Sequence, residues 1–293
     1  MGETTEGRNM IRRSVVLSAI VPQSATDSRV LSDALSILEK TRTDTIELYT
    51  PFDMAKEMGK VIEDSSIDCD VYPIAGVQKT QGYSLCDLDE KKRQEALTLV
   101  KRAIESARIL GAGKVLITTG RYPGKEEERK ALDLFIDSAL ILSREAENME
   151  IVLETGDRTV DARQLLGPTD LSLEITQEIR RSCPNFFLTL DTSHLAQLGE
   201  EVELSLEKGI KFSDHVHFAS CILKEGHPLY GDKHPHFSDV DNALTGDRLE
   251  RIFRTVSSWG EEKDILCGHE VIDRTGERLG SLERAIAEAP WFF

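Results

Sequence analysis

Eight short apolar or β-branched runs, each followed by a longer amphipathic segment, recur along the chain and leave few folds open to it. The runs lie at 14–19, 45–49, 69–74, 114–118, 150–154, 187–191, 215–219 and 264–269. Helical periodicity is clearest at 88–110, where Leu97, Val100, Ile104 and Ala107 share one face, and at 126–147. Further helices are expected at 170–181, 247–259 and 279–287, and Gly111 and Gly260 mark two helix stops. Strict strand–helix alternation calls for a parallel sheet, and eight units in roughly 250 residues is the number that closes a (β/α)8 barrel. A doubly wound open sheet would carry a glycine-rich phosphate turn after its first strand, and SAIVPQSATD has none. No internal linker is visible. The expectation is an α/β fold, a (β/α)8 TIM barrel in a single domain over 11–293, preceded by a loose polar tail at 1–10.

Composition narrows the partners. With 293 residues, 40% of them hydrophobic, the chain can bury a large core. A formal net charge of −16 repels polyanions, which argues against nucleic acid and anionic membranes as partners. Five cysteines are scattered without a CxxC pair and read as reduced thiols of a cytoplasmic protein. Arg12-Arg13 followed by SVVLSAIV resembles a twin-arginine signal. Its apolar part is short and broken by Ser18, and the barrel does not close without it, so it is read as the first strand. No stretch approaches the ~18 apolar residues that span a bilayer. The terminal PWFF suits either a subunit contact, leaving a homo-oligomer open, or a segment folded back on the barrel's outer face.

In such a barrel the chemistry collects at the C-terminal ends of the strands. Strands five to eight end on Glu154 (IVLETG), Asp191 (LTLDTSH), His217 (HVHFAS) and Glu270 (LCGHEV). These are ligand types for a divalent ion. A lone acidic strand end is more often a helix cap or a loop salt bridge, but four in consecutive units are not coincidence. Asp191 has capping of the next helix as its competing role. Six of the seven histidines fall within 194–236. His215 shares a strand face with His217 but lies deeper, as a hydrogen-bonded support would. His269 and Glu270 point to opposite faces, and the carboxylate is the one assigned to the mouth. His227 sits in a Gly-His-Pro turn and reads as a loop residue; Asp157 and Arg158 either line the site or belong to the loop surface, and His236 is unassigned. Arg121, Lys125, Arg158, Lys224 and Lys233 fall on βα loops, where a substrate phosphate or carboxylate would be received.

The order Glu154, then Asp191 and His194 in D-x-x-H, then His217 in H-x-x-S, then Glu270, resembles the xylose-isomerase-like TIM-barrel superfamily. That group includes sugar and sugar-phosphate isomerases and epimerases as well as the AP-endonuclease branch. The resemblance implies that Glu154, Asp191, His217 and Glu270 hold one divalent metal, that the two glutamates act as acid and base, and that His194 contacts a substrate oxygen. Arg158 and Lys224 join His194 as candidate substrate-binding residues. Such a ligand set suits manganese, magnesium, cobalt or zinc. A metal chelating the carbonyl and neighbouring hydroxyl of a ketose stabilises the enediolate left when the α-proton departs, and a positioned carboxylate adds about 10²–10⁴-fold in rate. The implied activity is isomerisation or epimerisation of a small carbohydrate-like substrate: a sugar, sugar phosphate or related polyol.

Asp232-Lys233-His234 supports a rival reading, because it resembles the D-x-H motif of the AP-endonuclease branch. There, His194, Asp232 and His234 would hold a further metal in a binuclear metallohydrolase, such as a phosphodiesterase. That branch also supplies histidines after strands three and four, whereas 74–82 and 117–124 contain none. A third reading, a non-catalytic binding barrel, would be expected to lack one proton-transfer carboxylate; both are present.

Overall fold

The eight expected runs become eight parallel strands, each paired with the next, in a computed structural model that describes residues 11–293. They are β1 (Ile11–Val16), β2 (Thr45–Glu47), β3 (Asp68–Pro73), β4 (Lys114–Ile117), β5 (Glu150–Glu154), β6 (Phe186–Asp191), β7 (Ser213–Phe218) and β8 (Ile265–His269). β1 pairs in parallel with β8 and closes the barrel. The tail expected at 1–10 lies outside the described residues.

Most boundaries fall within two residues of the sequence reading, but β1 starts and ends three residues early. Its Arg12-Arg13 pair lies inside the strand, and the apolar run continues into a short helix, Leu17–Ile20, with Leu17 and Ile20 fully buried. A short apolar run carries no period that separates a buried strand from a buried helical turn. The helix Glu90–Leu110 ends on Gly111 in the left-handed conformation (φ 75°), as its glycine stop implied. Helices Glu128–Ala146, Thr169–Arg180, Gly246–Trp259 and Leu279–Glu288 occupy the other expected places, and Ser28–Leu38, Ala55–Glu63 and Val202–Gly209 complete the outer ring.

The core has two unequal parts. The larger lies between the barrel wall and the helices. The smaller, inside the barrel, consists of Val71, Ala75, Leu116, Val152 and Leu266 with Phe187 against them. At the N-terminal strand ends charged pairs seal it: Lys114 lies 2.7 Å from Asp214 and also pairs with Glu150, and Arg12 pairs with Asp70. Above this apolar layer the interior turns polar at Ser14, Glu47, Thr189 and His215, all fully buried.

The terminal PWFF folds back on its own barrel. Phe292 is fully buried beside Phe218 and Phe253, and Arg42 donates to the carbonyls of Phe293 (3.0 Å) and Pro290 (2.6 Å). All five cysteines are buried and free. No helix among the described residues is long and apolar enough to cross a membrane.

Candidate metal centre

The barrel register makes the ends of β5 to β8 lateral neighbours: Glu154 pairs with Thr189, Asp191 with His217, and His217 with Gly268. Around His217 Nδ1 stand Glu154 Oε1 at 3.1 Å, Glu270 Oε2 at 2.9 Å and Asp191 Oδ2 at 4.0 Å. One ligand atom from each of these four residues lies within 4.8 Å of the other three. Burial opposes a charge on His217, but Glu47 and Glu270 outweigh it and hold its pKa well above the usual imidazole value. In the metal-free centre Nδ1 therefore carries a proton and donates it to Glu154. One N–H cannot serve three carboxylates. Asp191 Oδ2 and Glu270 Oε2 are left buried with no hydrogen-bond partner among the described residues.

Buried carboxylate oxygens without a hydrogen bond are costly unless a cation joins them. A tetrahedral ion with bonds of about 2.1 Å sets its ligands about 3.4 Å apart, and the three carboxylates stand 2.9–4.0 Å from His217 Nδ1, on either side of that spacing. Three carboxylate oxygens and one imidazole nitrogen thus fit a divalent ion, whose binding would expel the Nδ1 proton.

Glu47, at the end of β2, holds this arrangement from behind, and the sequence reading did not find it. It is fully buried and accepts from His217 Nε2 (3.0 Å), His215 Nε2 (3.0 Å) and Ser14 Oγ (2.6 Å). Burial would raise its pKa, but His215 and His217 outweigh it and hold the carboxyl well below its usual range. By accepting the Nε2 proton, Glu47 leaves Nδ1 as the atom that would ligate a metal and sets the ring's orientation. His215 sits deeper, as expected, with Nδ1 3.0 Å from Thr189 Oγ1. Gly268 makes room for the pair: a Cβ there would collide with Glu47 Oε1 and come within 2.8 Å of His217 Cδ2. The sequence run extends to Tyr49 and sets Glu47 mid-strand; only in the structure does β2 end on Glu47, as β5 ends on Glu154.

A second cluster adjoins the first. Asp232 Oδ1 lies 3.1 Å from His194 Nε2 and 2.9 Å from His234 Nε2, so the structure brings these three residues together. His194 Nδ1 donates to the Thr155 carbonyl at 2.8 Å. Burial disfavours its charge, but Asp191 and Asp232 outweigh that and raise its pKa to about 9. His234, at a positive φ of 38°, reaches back to Glu270 Oε1 at 3.3 Å. Asp191 serves both roles expected of it: Oδ1 caps the helix Thr192–Gln197 through the His194 amide (2.9 Å), and Oδ2 faces the centre. Ligand atoms of Asp191, His194 and His234 also lie within 4.8 Å of one another, so Asp191 is common to both groups. Lys79, which the sequence did not single out, lies 3.0 Å from Asp232 Oδ2 and 3.8 Å from Glu154 Oε2.

The family model described as xylose isomerase-like TIM barrel matches residues 37–286. The chain belongs to that family. No curated protein matches the sequence significantly. Among solved structures, the family member resembles the apo form of 3-keto-D-glucoside 4-epimerase, YcjR, from E. coli: 13% identity, 97% of this chain and 98% of that one covered, TM-score 0.68. It resembles the IOLI protein with a binding zinc atom at 17% identity, 96% and 99% coverage and TM-score 0.69. It also resembles an AP endonuclease, family 2, from Brucella melitensis at 13% identity, 93% and 97% coverage and TM-score 0.63. At such identities the likeness is one of fold.

In this xylose isomerase-like barrel a cleft of about 1200 Å³ opens over Glu154, His217, Asp232, His234 and Glu270, with Tyr49 and Tyr83 on its walls. Two of the expected substrate-binding residues are not brought to it. Arg158 stacks on Tyr122 (3.9 Å) and donates to Glu128 (2.9 Å) and the Leu165 carbonyl (2.7 Å). The cause is Asp157, whose buried carboxylate accepts the backbone amides of Val160, Asp161, Ala162 and Arg163 and coils the loop. Lys224 pairs with Asp241 (2.8 Å) on an exposed loop away from the cleft. The third, His194, is held by Thr155 and Asp232 instead of lining the cleft wall. Of the other loop cations, Arg121 and Lys233 line the cleft, and Lys233 is paired with Asp161 at 2.7 Å.

The remaining histidines bond or pack outside the cleft lining. His227 Nδ1 accepts the Leu229 amide, and His236 bonds Ser281 Oγ at 3.0 Å. His269 is enclosed by Phe237, Phe292 and Phe293, and burial pushes its pKa down to about 3.

Proposed function

We propose that this family member is a divalent-metal-dependent isomerase or epimerase of a small sugar or related polyol, with Glu154 and Glu270 exchanging the substrate proton. The observation that carries the reading is the convergence of Glu154, Asp191 and Glu270 on His217 Nδ1, with two carboxylate oxygens left without a hydrogen bond among the described residues. A divalent ion held by these four residues supplies Lewis-acid polarisation of a carbonyl and its neighbouring hydroxyl. The oxygen-rich set suits manganese, magnesium, cobalt or zinc. The epimerase named among the structural relatives supports the same substrate class.

The chain's own groups account for the proton transfer. Burial would push Glu154 up, but Lys79 and the His217 bond outweigh it and lower its pKa. Burial likewise opposes ionisation of Glu270, and His234 and His217 hold it well below the carboxylate range. Both are thus ionised in the metal-free centre, and both face the cleft. One carboxylate removes the proton from the carbon beside the carbonyl. Returning a proton to the opposite face inverts that carbon; returning it to the neighbouring carbon moves the carbonyl.

The test is deuterium exchange into a panel of ketoses in D2O, followed by NMR. Glu154→Gln is expected to lower exchange by at least about 10²-fold while the circular dichroism spectrum and melting remain those of the folded chain. Unimpaired exchange in that variant would end the assignment. The convergence of His194 and His234 on Asp232 favours a second reading, a binuclear metallohydrolase. Two metal equivalents in the wild type, with phosphodiesterase activity lost in His234→Ala, would select it.

A further inference from the structure

Two carboxylates in this centre have an oxygen to offer a second ion, and both of those oxygens meet the same ammonium. Asp232 turns Oδ1 to His194 and His234 and Oδ2 to Lys79 Nζ at 3.0 Å. Glu154 turns Oε1 to His217 and Oε2 towards the same Nζ, at 3.8 Å. Lys79 is not a wandering surface cation. It sits on the short helix Ala75–Gln81 after β3, and the adjacent Gln78 side chain is clamped to β4 by two bonds to the Thr118 backbone (3.2 and 2.9 Å). Its Nζ stands between the two clusters, at the cleft.

We propose that the Lys79 ammonium takes the place of a second metal ion and confines the centre to one. The inference rests on the metal-dependent reading above and extends it. Lys79 supplies, beside Asp232 and Glu154, part of the positive charge that a second ion there would otherwise bring. A dication bound by His194, Asp232 and His234 would have to share one carboxylate with the Lys79 ammonium, and like charges at that distance repel.

The experiment is manganese binding by equilibrium dialysis with metal analysis, and electron paramagnetic resonance to detect an exchange-coupled ion pair. Wild type and Lys79→Arg are expected to hold one equivalent. Lys79→Met and the polar Lys79→Gln are expected to hold two, with the pair signal lost on adding His234→Ala. The inference is overturned if both neutral variants still take one ion, or if wild type takes a second with a Kd within tenfold of the first. The wild-type titration keeps the inference falsifiable should the neutral variants fail to fold. Wild type binding no metal overturns this inference and the proposed function together, whereas one equivalent in every variant sinks the inference alone.

Discussion

Replacing Glu47 by glutamine keeps the side chain's volume and converts one of its two carboxylate oxygens into a donor. In the native centre Oε1 accepts from His215 Nε2 and Ser14 Oγ, and Oε2 accepts from His217 Nε2. An amide can turn its oxygen to His217 only by turning its NH2 towards His215, whose ring must then move its proton to Nδ1, against Thr189. The opposite orientation sets an N–H against His217 Nε2 and drives the proton to Nδ1, the atom meant for the metal. The first arrangement loses a charge-assisted bond, about 1–3 kcal/mol of stability in this buried place. Loss of a carboxylate behind a ligating histidine also lowers metal affinity by about 10–100-fold, equivalent to about 1.4–2.8 kcal/mol. The assay is competition for manganese or zinc against a chelator of known affinity, with urea unfolding of the metal-free protein alongside. Ser14→Ala is the control: it removes one bond to Glu47 but leaves both imidazole bonds, so only stability should fall, by about 1 kcal/mol. Glu47→Gln binding metal within twofold of wild type would refute the idea that Glu47 orients His217, even if the variant were less stable.

Two further outcomes follow from the packing around β8. The His269 pKa is depressed to about 3, so the unfolded chain binds a proton below about 6.5 that the folded chain refuses, and stability falls as pH drops through that window. Relative to wild type, His269→Leu should gain about 2 kcal/mol between pH 7 and pH 5 in urea titrations of metal-free protein, and a pH-independent difference would contradict the assignment. Phe292→Ala should cost about 3–5 kcal/mol because the ring is fully buried against Phe218 and Phe253; a loss under about 1 kcal/mol would mean the terminal segment is dispensable.

The alternation of eight apolar runs with amphipathic segments is a local property, and it was sufficient for the fold class, the strand count and nearly every boundary. The exception, β1, lies where one apolar run serves first as strand and then as helix. Side-chain parity is also local, which is why Glu270 and not His269 could be aimed at the mouth and His215 placed beneath His217. Glu154, Asp191, His217 and Glu270 were legible as candidates because each lies at or within one residue of the C-terminal end of a strand, where such a barrel gathers its chemistry. Which groups meet them was a different matter. Glu47 lies 170 residues from His217, and its role exists only because β2 and β7 face each other across the closed barrel. Lys79 lies 153 residues from Asp232 and gains its place from a helix pinned to β4. Arg158 and Lys224 looked equally suited to a substrate on the linear chain, until the coiling around Asp157 and the pairing with Asp241 turned them away. Periodicity along the sequence determines what each strand presents and to which side; only closure of the barrel decides which of those side chains share a centre, because contact across it depends on strands that sequence distance does not order.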